Sequence, residues 1–191
     1  MKINPHESTL LFIDLQSRLM PSIDHGDEVL SQSIRIGKIA QILDIPTIGT
    51  EQSPQSLGHN AANISELCQY TVTKTYFDAC QDGLLEALPR NKNNIVVAGC
   101  ETHVCVMQTA LELLTQKYQV IILADAVGSR RSLDRDTAIQ RLCANGAIIS
   151  TVEMMAFEWL QTATNPSFRE VLEIIKSSKV ENVLLSQICS S

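Results

Sequence analysis

The sequence predicts an α/β fold: three layers, αβα, around a six-stranded, mostly parallel, doubly wound sheet of the Rossmann-like kind. Two observations carry this. Short apolar runs alternate along the chain with longer stretches of helical periodicity. The runs are continuously apolar instead of alternating, as strands covered by helices on both faces require. A length of 191 residues with 45% hydrophobic content also suits one domain with a sizeable core.

The elements follow in order. Residues 9–13, Thr-Leu-Leu-Phe-Ile, form a first strand that stops at Asp14. Residues 29–43 carry Leu30, Ile34, Ile36, Ile39 and Ile42 at helical spacing. A second strand spans 46–50. A helix around 64–68 leads to a third strand at 70–73, and a short helix near 83–88 precedes the fourth strand, 94–98, which is closed by Gly99. A helix from about 102 to 116, a fifth strand at 120–124, a helix at 134–145 and a sixth strand at 147–150 follow. Helical patterns at 153–162 and 167–177 complete the set. Gly26 and the segment 54–58 mark loops, not domain joints. The expectation is therefore one domain over residues 1–179 and a C-terminal tail over 180–191. Val183, Leu184 and Leu185 of that tail suit either a partly ordered end or an arm on a neighbouring subunit.

Composition narrows the function classes. Aromatic residues make up only 4% of the chain, so the core must be aliphatic. A net charge of −6 argues against nucleic acid, which selects a basic face, and the pair Arg130-Arg131 suits a solvated loop. The first seven residues do not resemble a signal peptide, and no run of 18 apolar residues offers a membrane span. The six cysteines, at 68, 80, 100, 105, 143 and 189, show no CxxC spacing. Free thiols in a reducing, cytoplasmic setting are expected, with Cys68 and Cys143 as small core residues of helices.

Three ionisable residues fall at strand ends, where open parallel sheets bind ligands. Asp14 follows the first strand, Lys74 the third, and Cys105 the fourth across the Gly99 turn. A thiol in the first turn of a helix meets the positive end of the helix dipole, which lowers its pKa. Carboxylate, ammonium and thiol together make a workable nucleophilic set.

The segments Leu11-Phe12-Ile13-Asp14-Leu15-Gln16, Thr73-Lys74-Thr75-Tyr76-Phe77 and Gly99-Cys100-Glu101-Thr102-His103-Val104-Cys105-Val106 resemble the Asp–Lys–Cys motifs of the isochorismatase-like cysteine hydrolases, which include nicotinamidase and N-carbamoylsarcosine amidohydrolase. Residues 125–130 and 145–147 extend the likeness, which runs from about residue 8 to 176. The resemblance implies Asp14 as general base, Lys74 as its electrostatic partner, and Cys105 as a nucleophile forming a thioester on a small amide-type substrate. It also implies a cis peptide at Cys100–Glu101 that aims the Glu101 and Cys105 amides at an oxyanion.

Two departures shape the reading. Nicotinamidases carry an Asp-x-His metal motif after the second strand. Here that region reads Thr50-Glu51-Gln52-Ser53, and His59 with Glu51 makes too few ligands, so no metal and no cofactor is expected. True isochorismatases split a vinyl ether without a nucleophilic cysteine, so Cys105 favours the cysteine-hydrolase branch over that alternative. Gln16, Gln52, Tyr76, Phe77 and His103 are candidates for lining the substrate pocket, with His103 turned away from Cys105 by helical geometry. Tyr76 and Phe77 suit a core or an interface equally. A homo-oligomer, a dimer or larger, is expected. Two other readings compete: a catalytically weak oligomeric scaffold that retains the site, and a redox thiol pair of Cys100 and Cys105, for which the spacing is poor.

Overall fold

The computed structural model describes residues 2–177. The expected tail, 180–191, lies outside the described residues. Six strands, β1 (Ser8–Ile13), β2 (Thr47–Gln52), β3 (Tyr70–Lys74), β4 (Asn94–Cys100), β5 (Gln119–Gly128) and β6 (Ile148–Ser150), form one sheet in the order β3-β2-β1-β4-β5-β6. Every ladder is parallel. The order reverses between β1 and β4, which creates the crevice where such sheets hold their ligands.

Among the described residues, eight α-helices cover the sheet: α1 (Gly26–Ile42), α2 (Pro54–Leu57), α3 (Ala62–Ser65), α4 (Leu84–Ala87), α5 (Met107–Thr115), α6 (Ser132–Ala144), α7 (Val152–Leu160) and α8 (Phe168–Lys176). The period-two alternation of strands divides the apolar residues into two cores. Leu10, Phe12, Val96, Ala98 and Leu123 pack with Ile36, Ile39 and Trp159 on one face. Leu11, Ile13, Ile95, Val97 and Ile122 pack with Val106, Ala110 and Leu113 on the other. Every residue of β1 and β4 is buried, which is why both read as unbroken apolar runs.

Three expectations need correction. The helix expected from 102 begins instead as a turn of π-helix, Thr102–Val106, and becomes α-helical only at Met107. β5 runs on to Gly128, past an irregularity in its pairing with β4 between Val97 and Gly99. The Arg135 side chain lies along this stretch: its Nε donates to the Val127 carbonyl at 3.1 Å and its Nη2 to the Ala124 carbonyl. Cys143 is exposed on α6 and is not a core residue, while Cys68 is only half-buried.

Gly99 is required where β1 and β4 close on one another. Its φ is +138°, and a Cβ there would lie 2.1 Å from the Ile13 carbonyl oxygen. That approach brings the ends of the two strands, and so Asp14 and the Cys105 turn, beside one crevice.

Candidate active site

Asp14 leaves β1 with a φ of +50°, its backbone N–H donating to the Thr50 carbonyl at 3.3 Å. Its carboxylate is fully buried. The Thr50 hydroxyl donates to Oδ1 at 2.6 Å, and the Lys74 ammonium stands 2.8 Å from Oδ2. The ammonium approaches Oδ2 outside hydrogen-bonding direction, so that oxygen has charge compensation yet no directed donor. Lys74 ends β3 almost fully buried, and it donates to Gln52 Oε1 at 2.7 Å and to the Tyr76 carbonyl at 3.3 Å.

Cys105 lies in the π turn, 7% exposed, with its sulfur 4.0 Å from Gln52 Oε1. Burial, joined by the negative charge of Asp14, pushes its thiol up to about 12, and the Lys74 ammonium offsets only part of this. The expected lowering is not seen: the largest influence is desolvation of the buried sulfur, which disfavours the thiolate. The Cys100–Glu101 peptide is cis. The Glu101 carbonyl accepts from Val104 N–H at 3.0 Å and Val106 N–H at 3.2 Å, a pairing that passes over Cys105.

Cys100 and Cys105 belong to different faces of the sheet. The Cys100 sulfur packs 3.8 Å from Met20 Sδ in one core, whereas Cys105 lines the other. Both are free thiols, and this placement speaks against the redox pair.

The pocket candidates divide. Gln52 touches the site directly, its Nε2 anchored on the Thr75 carbonyl at 2.8 Å. Gln16 does not line a pocket. It is fully buried, accepts the Gln52 N–H at 2.9 Å, and donates to the carbonyls of Gln52 at 3.1 Å and Gly58 at 2.5 Å, so it pins the loop after β2. Tyr76 and Phe77 expose their rings, 60% and 52%, beside the site. Their loop is fastened by Asp82, which accepts the N–H groups of Thr75 at 2.7 Å and Tyr76 at 2.9 Å, and these bonds lower its pKa. His103 turns to the Ser129 hydroxyl, 3.0 Å from Nδ1.

Sequence reasoning missed Thr50, Asp82 and the bond between Glu101 and Arg130. Thr50 was within reach: it pairs with Ile13 in the β1–β2 ladder, the neighbour of Asp14. Glu51 is spent locally, on Asn60 N–H at 2.8 Å and His59 Nδ1 at 3.0 Å. No three His, Cys, Asp or Glu side chains come together to hold a metal among the described residues. No helix among them is long and apolar enough to cross a membrane.

The sheet order and the crevice above its reversal define a doubly wound, Rossmann-like α/β domain. Residues 8–154 match the family model described as Isochorismatase domain. The mouse isochorismatase domain-containing protein 2A is 33% identical over 186 residues, covering 97% of this chain and 90% of that protein. The Dictyostelium discoideum isochorismatase family protein 1B is 35% identical, covering 93% of this chain and 90% of its own length. A solved structure described as MAR1 ribonuclease from Caenorhabditis elegans superposes with a TM-score of 0.88 at 34% identity, covering 97% of both chains. The chain belongs to the isochorismatase-domain family of hydrolases.

Proposed function

We propose that the protein is a cysteine hydrolase of small amide-type C–N bonds, an amidohydrolase working through a thioester on Cys105. The observation that carries this reading is the contact chain Asp14–Lys74–Gln52–Cys105, in which a buried ion pair stands beside a buried thiol.

In the proposed reaction, Asp14 Oδ2 takes the Sγ proton as the sulfur attacks the substrate carbonyl, so thiolate forms only as the new S–C bond does. The carbonyl π pair moves to oxygen, where the Glu101 and Cys105 amides stabilise it. Collapse breaks the C–N bond, and the amine leaves with the proton from Asp14. Water then gives a proton to Asp14 and attacks the thioester, and Asp14 returns that proton to the sulfur as the acid is released. Lys74 balances the negative charge during both halves, and Gln52 fixes the ammonium.

The test is hydrolysis of a panel of small amides by the wild type and Cys105→Ala. Turnover by the wild type with loss of at least about 1,000-fold in the variant supports the reading. Equal turnover by both overturns the thioester. RNA belongs in the panel because the nematode relative is described as a ribonuclease, although the net charge of −6 opposes a polyanion. Cysteine-independent cleavage of a vinyl ether would favour the isochorismatase reaction instead. Exposed Tyr76, Phe77, Leu133 and Phe157 support a homo-oligomer, and free thiols at Cys68, Cys80, Cys100, Cys105 and Cys143 suit a cytoplasmic setting.

A further inference from the structure

The turn that carries Cys105 is held from one side by two consecutive residues of the loop after β5. The ladder pairs Gly99 with Val127 and Cys100 with Gly128, so residues 129–130 emerge beside residues 101–103. Glu101 Oε2 accepts both the Arg130 backbone N–H at 3.1 Å and its Nε–H at 3.0 Å. Two positions further on, His103 Nδ1 meets the hydroxyl of buried Ser129 at 3.0 Å. The Ser129 carbonyl in turn accepts the Asp24 N–H at 3.0 Å, which ties the holding loop to the start of α1.

Glu101 is a buried carboxylate whose own backbone belongs to the oxyanion site of the proposed reaction. Two charge-assisted bonds from one residue to one of its oxygens restrict rotation of the Glu101 side chain and, through it, of the peptide that must present an N–H to the oxyanion. The Arg130 side chain is 62% exposed, so the pair matters for direction more than for stability.

We propose that Arg130, with Ser129 behind His103, is a positioning residue that keeps the Glu101–Cys105 turn aimed at the oxyanion. Arg130 touches neither substrate nor sulfur. The proposal rests on the thioester reading above and adds to it the residue that holds the turn.

Two reactions of the same thiol separate direction from reactivity. Acylation by p-nitrophenyl acetate needs the oxyanion donors, whereas alkylation by iodoacetamide needs only the sulfur. In Arg130→Ala, Cys105 acylation is expected to fall about tenfold while its alkylation changes less than about twofold. Arg130→Lys keeps the charge and the backbone N–H and should recover part of the loss. Glu101→Gln keeps an acceptor oxygen and should lose only about threefold, which guards against misreading a folding defect in one variant. Equal acylation by wild type and Arg130→Ala overturns the positioning role, as does a parallel fall in both reactions. Failure of wild-type Cys105 to acylate at all removes the thioester reading, and the positioning role with it.

Discussion

A thiol buried beside a carboxylate keeps its proton until something takes the charge, and this governs what Cys105 can do at rest. Burial and Asp14 push it up to about 12, so its thiolate fraction near neutrality is small. In the proposed reaction, the reactivity that a helix-start position suggests is held back until a carbonyl arrives and Asp14 accepts the proton as the S–C bond forms. The expected consequence is a Cys105 alkylation rate that keeps rising beyond pH 9, with exposed Cys143 modified first near pH 7. Mass-spectrometric mapping of iodoacetamide adducts across pH checks this. A plateau in the Cys105 rate near pH 7 would instead reveal a resting ion pair with Lys74.

At the scale of elements, the strand ends and the turns between them make the site. Gly99 shows how tightly. Alanine there would carry a Cβ 2.1 Å from the Ile13 oxygen at a φ of +138°, so β1 and β4 would have to separate beside Asp14. Gly99→Ala is expected to cost at least about 3 kcal/mol in urea unfolding and to abolish Cys105 acylation. Wild-type stability in that variant would mean that the strand ends can relax freely. β1 and β4 were legible because burial on both faces writes itself as unbroken apolar runs. Asp14 and Cys105 could be singled out because each follows such a run, and Lys74 because it closes a strand, although edge strand β3 is exposed at Tyr70 and Thr73. The π turn, the continuation of β5 past its irregular pairing and the fastening of the 75–77 loop by Asp82 were not legible. The π turn is set by local backbone bonds to the Glu101 carbonyl, and the other two features involve a side chain reaching backbone groups, as Asp82 reaches Thr75 and Arg135 reaches Val127; hydrophobic periodicity records neither. Gln16 misled for the same reason: a glutamine after a strand suggests a ligand contact, whereas here its amide is consumed by the backbone of two loops.

The whole molecule inherits a pH dependence from its thiols. Burial raises Cys68 and Cys105 from an ordinary 9.0 to about 12, and raises Cys80 and Cys100 as well. A raised folded-state pKa contributes stability that is complete below the unfolded value and is lost as pH rises towards the folded one. The unfolded chain ionises these thiols above about pH 9 while the fold resists, so unfolding releases protons and stability falls between about pH 9 and 12. Urea midpoints measured at pH 8 and pH 10 should show this fall, and replacement of Cys100 by alanine should flatten the part of the slope that this thiol contributes. An unchanged midpoint would mean that these thiols ionise alike in both states. The fold class and the two-faced core were readable from periodicity. The division of labour between the faces was not, because Cys100 and Cys105, five positions apart, point into opposite cores. The proposed chemistry turns on one covalent bond, the thioester on Cys105. Intact-mass and peptide mass spectrometry of the protein quenched during turnover of an amide should show an acyl group on Cys105, absent from Cys105→Ala and accumulating when Asp14→Asn slows its hydrolysis. An amide turned over with no acyl group on Cys105, or at an equal rate by Cys105→Ala, would contradict it.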